Sequence, residues 1–169
     1  MRSLLILLLF LVNLKAYDFV LLNSTEIADE DIIERIEDQL NNYYSSDSSQ
    51  ITFHDLEDKE EILKILDKYD YSGDEDEQEQ LLRQYEDLET DLNIIFNTKY
   101  LLVVNEKTNR DNRKELEIVL KVDNINYFDG NFVMPSIDDK ELHYMDTIIN
   151  VVLTYITYKD KNFIKVNQL

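Results

Sequence analysis

The sequence predicts an α+β fold, three N-terminal helices packed on one curved antiparallel sheet. Three observations lead to it. Apolar residues recur at intervals of three and four through the first half of the chain, the interval changes to two from about Thr98 onward, and helices are not interleaved with strands as they are in βαβ proteins. A helical layer on a sheet is the arrangement that satisfies both periods.

The chain opens on MRSLLILLLFLVNLKA, with Arg2 as a short basic lead, a nearly unbroken apolar run from Leu4 to Leu14, and the small residue Ala16 at its end. That is the pattern of a secretory signal peptide over residues 1–16, followed by a single α+β domain at 17–169. The apolar run is shorter than the roughly 20 residues that a spanning helix needs, and no later segment is apolar enough to replace it. The expected location is extracellular or the lumen of the secretory pathway, with no stable membrane association after cleavage.

Tyr17–Leu22 reads as a short apolar lead docked on the body. From Glu26 to Tyr44, Ile32, Ile33, Ile36, Leu40 and Tyr43 form one stripe of a helix whose other face is acidic. The segment SSDSSQ ends it, and Ile51 and Phe53 alternate as a short extended piece. Asp55 or Asp58 then caps a second helix carrying Ile62, Ile65, Leu66 and Tyr69. A third, longer helix carries Leu81, Leu82, Tyr85, Leu88, Leu92, Ile95 and Phe96 and stops at Asn97.

From there the period is two. Thr98–Asn105 is apolar on both sides and reads as a strand buried on both faces. After the polar connection NEKTNRDNR, Leu116, Ile118, Leu120 and Val122 alternate with Glu115, Glu117, Val119 and Lys121, which gives a strand with one wet face. Ile125–Phe128 and Phe132–Met134 flank Asp129-Gly130, a strong hairpin signal. Ile137–Met145 holds one helical turn. Thr147–Leu169 reads as a central strand, with Ile149, Val151, Leu153 and Tyr155 on one face and Ile148, Val152 and Ile156 on the other. The polar KDKN at Lys159–Asn162 then leads into a hairpin partner carrying Phe163, Ile164 and Val166. Asn150 and Thr154 interrupt one of the two faces, and that mixed side permits a homodimer through the sheet.

Charge narrows the partners. The chain has 17 basic and 36 acidic residues; removing 1–16 takes away Arg2 and Lys15 and leaves 15 against 36, a net charge of −21. Such a chain repels phosphate backbones and anionic membranes, so no nucleic-acid partner is expected. There is no cysteine, which excludes disulfides, thiolate metal sites and cysteine nucleophiles. Gly73 and Gly130 are the two glycines, too few for a phosphate-cradling loop.

Three patterns carry candidate chemistry. Asn23-Ser24-Thr25 matches the N-glycosylation acceptor, so Asn23 is the predicted glycan site of a secreted chain; the same residues also suit a helix cap. In KYDYSGDEDEQE, placing Gly73 at the sixth position of an EF-hand loop puts Asp70, Ser72, Asp76 and Glu79 at positions three, five, nine and twelve. Lys68 then falls where the first carboxylate binds and Glu75 where an apolar residue locks the loop, so a solvated acidic loop is the stronger reading and no metal is expected. His54 and His143 are the only imidazoles available for acid–base chemistry. His54 precedes Asp55, but neighbours in a strand point to opposite faces, and each histidine must find its carboxylate elsewhere. The eleven tyrosines lie at core or rim spacing and identify no ligand.

The helix at 27–44, the passage ITFHDLEDKEEILKIL and the strands from Tyr100 to Leu169 together give an element order that resembles the cone-shaped NTF2-like domains, in particular the small secreted NTF2-like proteins of nematodes. The resemblance implies a cone with a pocket on its concave side and carries no catalytic residue to this chain. A cystatin-like fold, one helix wrapped by a sheet, is the alternative, although the inhibitory Gln-x-Val-x-Gly hairpin is missing. A lipocalin-like barrel fits less well because the chain has no Trp. The expected function is a secreted acidic, non-enzymatic binding protein for a small apolar ligand or a protein partner, with no cofactor. The alternatives are a pocket enzyme using a His/carboxylate pair and a calcium-responsive interaction protein.

Overall fold

A computed structural model describes residues 15–44, 49–69, 74–133 and 140–166. The predicted signal peptide lies almost wholly outside the described residues; its last two, Lys15 and Ala16, already belong to the first strand. The order of elements is β1 (Lys15–Asn23), α1 (Asp29–Tyr44), β2 (Ser49–His54), α2 (Lys59–Lys68), α3 (Glu75–Gln84), a 3-10 turn (Glu86–Leu88), α4 (Glu89–Asn97), β3 (Tyr100–Thr108), β4 (Lys114–Val122), β5 (Ile125–Val133) and α5 (Lys140–Val166). The fold is α+β, with five helices and one five-stranded sheet among the described residues.

The sheet is mixed where an antiparallel one was expected. Its order is β2-β1-β3-β4-β5; β1 runs parallel to both β2 and β3, and the β3–β4 and β4–β5 pairs are antiparallel. Tyr17–Leu22, expected to be a docked lead, is therefore the central strand. Its side chains explain this position: Tyr17, Phe19 and Leu21 are buried on one face and Val20 and Leu22 on the other. Because β2 and β3 flank β1 on opposite sides, right-handed crossovers must place their helices on opposite faces. The cores show this division. One joins α1 and α5 to Phe19, Leu102, Ile118 and their row; the other joins α2, α3 and α4 to Val20, Leu22, Leu101 and Val103.

The helices are not all N-terminal. Residues 140–166, expected to supply a helical turn, a central strand and a hairpin, form the long helix α5. Ile148, Val152 and Ile156 are spaced by four, so what resembles one face of a strand is also a helical stripe, and all three are buried with Tyr144 against the sheet. Residues 167–169 lie outside the described residues. The long third helix is two helices, α3 and α4, separated at Tyr85, yet Leu81, Leu88, Leu92 and Ile95 remain on one buried stripe.

The expected Asp129-Gly130 turn is also absent. β5 runs without a break through both residues, and the hairpin turns instead at Asp123-Asn124, both at positive φ as a two-residue primed turn requires. Asp123 N–H donates to the Lys99 carbonyl at 2.8 Å and Asn124 Nδ2 to the Phe96 carbonyl at 3.1 Å, which fixes the turn to the end of α4. Gly130 has a different use. A Cβ there would meet Cζ of Phe128 at 2.6 Å, so the glycine lets the Phe128 ring lie along the strand toward Phe132. β3 is buried on both faces from Tyr100 to Val104, as expected, whereas the second face of β4 is half-buried at Glu115, Glu117 and Val119 and buried at Lys121.

Candidate functional site

The second face of β4 is the floor of a recess among the described residues. Alternation sends Leu116, Ile118, Leu120 and Val122 under α1 and α5 and leaves Glu117, Val119 and Lys121 on the other face. On that face α2, α3 and α4 cover β1 and the first half of β3 and reach β4 only in part, where Val119 packs against their core. The result is a groove of about 410 Å³ whose wall is α2, through Leu63, Leu66 and Asp67, and whose floor is Val103, Asn105, Glu117, Val119, Lys121 and Asp129. It continues past Asp67 and Asn105 into a second recess of about 330 Å³ beside Ser24 and Lys64.

A chain of polar contacts fixes the floor. Asn105 and Glu117 are direct partners in the β3–β4 ladder. Asn105 Nδ2 donates to Glu117 Oε2 at 2.9 Å, Lys107 Nζ lies 2.7 Å from the same oxygen, and Ser24 Oγ donates to Asn105 Oδ1 at 2.9 Å. Asp67 faces Lys107 from α2 at 3.9 Å. Burial raises the proton affinity of Glu117, but the bonds from Asn105 and Lys107 outweigh it and hold this carboxyl below its usual range. Lys121 is only 3% exposed, so the floor combines buried charge with apolar Val103 and Val119. Such a surface suits groups that bring both hydrogen bonds and apolar contact.

A second polar cluster sits at the carboxyl ends of β1 and β2, where the chain departs to opposite faces. Open sheets with parallel strands place ligand crevices at such points. Here Lys59 fills the position, with Nζ 2.7 Å from Asp29 Oδ2 and 2.9 Å from Asp55 Oδ1. Burial lowers the Lys59 pKa, and the bonds to Asp29 and Asp55 overcome it, for a net rise; the Asp55 carboxyl is lowered by the same hydrogen bond.

Asn23 joins this cluster. Its Nδ2 donates to the Ile27 carbonyl and to Asp29 Oδ1, each at 2.8 Å, and its Oδ1 accepts from Thr25 N at 3.0 Å and Thr25 Oγ1 at 2.8 Å. Both amide hydrogens are thus committed to the turn that leads into α1, which is the nitrogen a glycan would modify.

His54 finds its carboxylate across strands: Nε2 lies 2.5 Å from Asp18 Oδ1, with both side chains more than a third exposed. His143 is exposed on α5. Neither lines the groove. Of the calcium-loop residues, Asp70, Ser72 and Gly73 lie outside the described residues. Glu75 begins α3, Asp76 N–H donates to Asp74 Oδ1, and Glu79 pairs with Arg83 at 2.9 Å along the helix. Lys68 ends α2 with its ammonium over the Tyr69 ring. Among the described residues no group of three or more His, Cys, Asp or Glu could hold a metal, and no helix is long and apolar enough to cross a membrane.

No protein-family model matches the chain, and neither a curated protein nor a solved structure does so.

Proposed function

We propose that the protein is a secreted acidic binding protein that acts without catalysis, and that its partner is another protein rather than a small apolar ligand. The observation that carries this reading is the partly covered half-face of the sheet, where α2 overhangs a fixed floor of Asn105, Glu117, Val119 and Lys121. A small apolar ligand asks for an enclosed, mostly apolar pocket. This groove is open, and polar side chains line most of it, which suits the mixed chemistry of a polypeptide surface. Secretion is supported by the apolar run at Leu4–Leu14, and exclusion of nucleic acid by the net charge of −19.

The enzymatic alternative rests on the His54–Asp18 contact, a paired imidazole at an accessible position. Amide-resolved NMR of the secreted protein, titrated separately with a peptide mixture and an apolar fragment mixture, tests the binding reading. Saturable shifts at Leu63, Val103 and Val119 from the peptides are the expected result. Turnover of any substrate in a hydrolase and isomerase panel that disappears in His54→Ala would replace it with the enzyme reading.

A further inference from the structure

The groove opens on one side toward β5, and β5 has the properties of an acceptor strand. Among the described residues it pairs with β4 alone, at eight of its nine residues; a bulge at Tyr127 shifts the register and leaves 128–133 in regular pairing. Exposed edges of that length are ordinarily blunted by lysine, proline, brevity or a bulge, and the bulge of β5 lies toward its first end, at Tyr127. β5, INYFDGNFV, contains neither lysine nor proline and one charge, Asp129, in a chain with 36 acids. The opposite edge, β2, is shorter, at six residues. Two of the most exposed large apolar side chains among the described residues, Ile125 at 63% and Val133 at 55%, stand at the two ends of β5.

The two sides of this edge differ in chemistry. Toward α5, Phe128 and Phe132 stack at 5.8 Å and Phe128 meets Tyr155 at 5.1 Å, and none of the three is fully buried. They form an aromatic ledge at the rim of the core. Toward the groove stands the exposed carboxylate of Asp129. A strand laid beside β5 would put alternate side chains on the ledge and the intervening ones beside Asp129. A second copy of the chain is a poor occupant, because pairing would bring together two bodies of charge −19. The complementary occupant carries positive charge.

We propose that β5 accepts, as a sixth strand, an extended cationic segment of a partner protein in which apolar and basic residues alternate. This rests on the reading of the chain as a binding protein and specifies how the partner enters. The ledge supplies apolar contact, Asp129 selects the sign of charge, and backbone hydrogen bonds supply the rest.

The test uses the secreted protein and three capped peptides matched to β5 in length: alternating valine and lysine, alternating valine and glutamate, and the valine–lysine peptide N-methylated at every second residue. Hydrogen exchange and shifts of the amides at 125–133 are followed. The expected result is saturable protection of β5 by the valine–lysine peptide, loss of that protection on N-methylation, and weaker binding of the glutamate peptide. Asp129→Lys, at an exposed position, should weaken the lysine peptide roughly threefold and favour the glutamate one, the size of a cross-strand charge pair. Equal binding of the N-methylated peptide, or a charge preference unchanged in Asp129→Lys, overturns the proposal. So does the absence of binding by all three peptides. Protection of β5 that grows with protein concentration alone would assign the edge to a second copy. Shifts confined to Leu63 and Val119 would reject the edge and leave the groove reading standing, whereas turnover dependent on His54 would remove that reading itself.

Discussion

The two faces of the sheet are built from the same strands but differ in what covers them. On one face, every inward residue of β4 from Leu116 to Val122 is apolar and buried under α1 and α5. On the other, the alternate residues of the same strand are Glu115, Glu117, Val119 and Lys121, three of them charged, and the helical core reaches the strand only at Val119. Both faces carry an apolar core, but over β4 the first is sealed by packing, whereas the second is closed in part by hydrogen bonds and ion pairs.

Adjacent residues measure the division most directly. Ile118 is fully buried and Val119 only partly so, one position along β4. Ile118→Ala should cost about 2–5 kcal/mol, the range for a large core side chain cut back. Val119→Ala, at a partly buried position and with fewer methyl groups to lose, should cost less, about 1 kcal/mol. Midpoints of urea unfolding for the two variants compare them; similar losses would mean that the groove floor is as much a core as the sealed face.

At the rim of the sealed face the stabilisation becomes polar. Tyr144 on α5 is 3% exposed, and its hydroxyl donates to Glu106 Oε2 at 2.5 Å, while Lys114 pairs with the other oxygen of that carboxylate. Burial, and then the bond to Glu106, push the Tyr144 hydroxyl above the ordinary tyrosine range. Tyr144→Phe should cost about 2 kcal/mol at neutral pH, within the range for a bond to a charged group. The sign of its pH dependence follows from the raised pKa. Below 10 both states keep the proton and the stabilisation is intact; above it the unfolded chain releases the proton first, so stability falls as pH rises toward the folded value. In Tyr144→Phe that alkaline decline should be shallower, as read by denaturant midpoints across alkaline pH.

Much of this division was legible in the sequence, and the failures have a common cause. The period-two alternation Leu116–Val122 announced two unlike faces of β4 because neighbouring strand residues point opposite ways, whatever the rest of the chain does. The stripe Ile32, Ile36, Leu40 announced α1 for the same local reason. Position in the sheet is not local. Tyr17–Leu22 is central because two crossovers return to either side of it, a fact carried by residues far along the chain. The stretch from Thr147 is rich in β-branched residues whose spacing satisfies both a strand and a helix, and only the bare apolar face of β3 and β4 decides between them. The groove was missed because Asn105 and Glu117 become partners only through the β3–β4 register. Asp129-Gly130 misled because Asp123-Asn124 supplied the turn first and left Gly130 to make room for a ring.

That ring allows a smaller test of how the edge joins the sealed face. Gly130→Ala places a methyl against the far end of Phe128, which can move but then leaves its stack with Phe132. The expected cost is about 1 kcal/mol. In a Phe128→Ala background the same change should cost less, because the group it displaces is gone, and the non-additivity in a double-mutant cycle is the measurement. Additive losses would mean that the glycine serves the backbone and not the ledge.

The smallest effect is expected on the open face and identifies what kind of force maintains it. Glu117 has its carboxyl held below 4.5 by Asn105 and Lys107, so its contribution is present above that pH and is lost as the pH falls through the lower folded value. Glu117→Gln should cost less than about 1 kcal/mol at neutral pH, since Lys107 is nearly half exposed and pairs of that kind are weak. It should also flatten the acid side of the stability profile. Because Lys107 is solvated, added salt should shrink the difference between Glu117→Gln and the parent, whereas the loss caused by Ile118→Ala should not respond to screening in this way. A salt-independent Glu117→Gln loss would show that the groove floor is electrostatically closed, and a partner would then have to displace bonds as strong as those of the sealed face in order to bind.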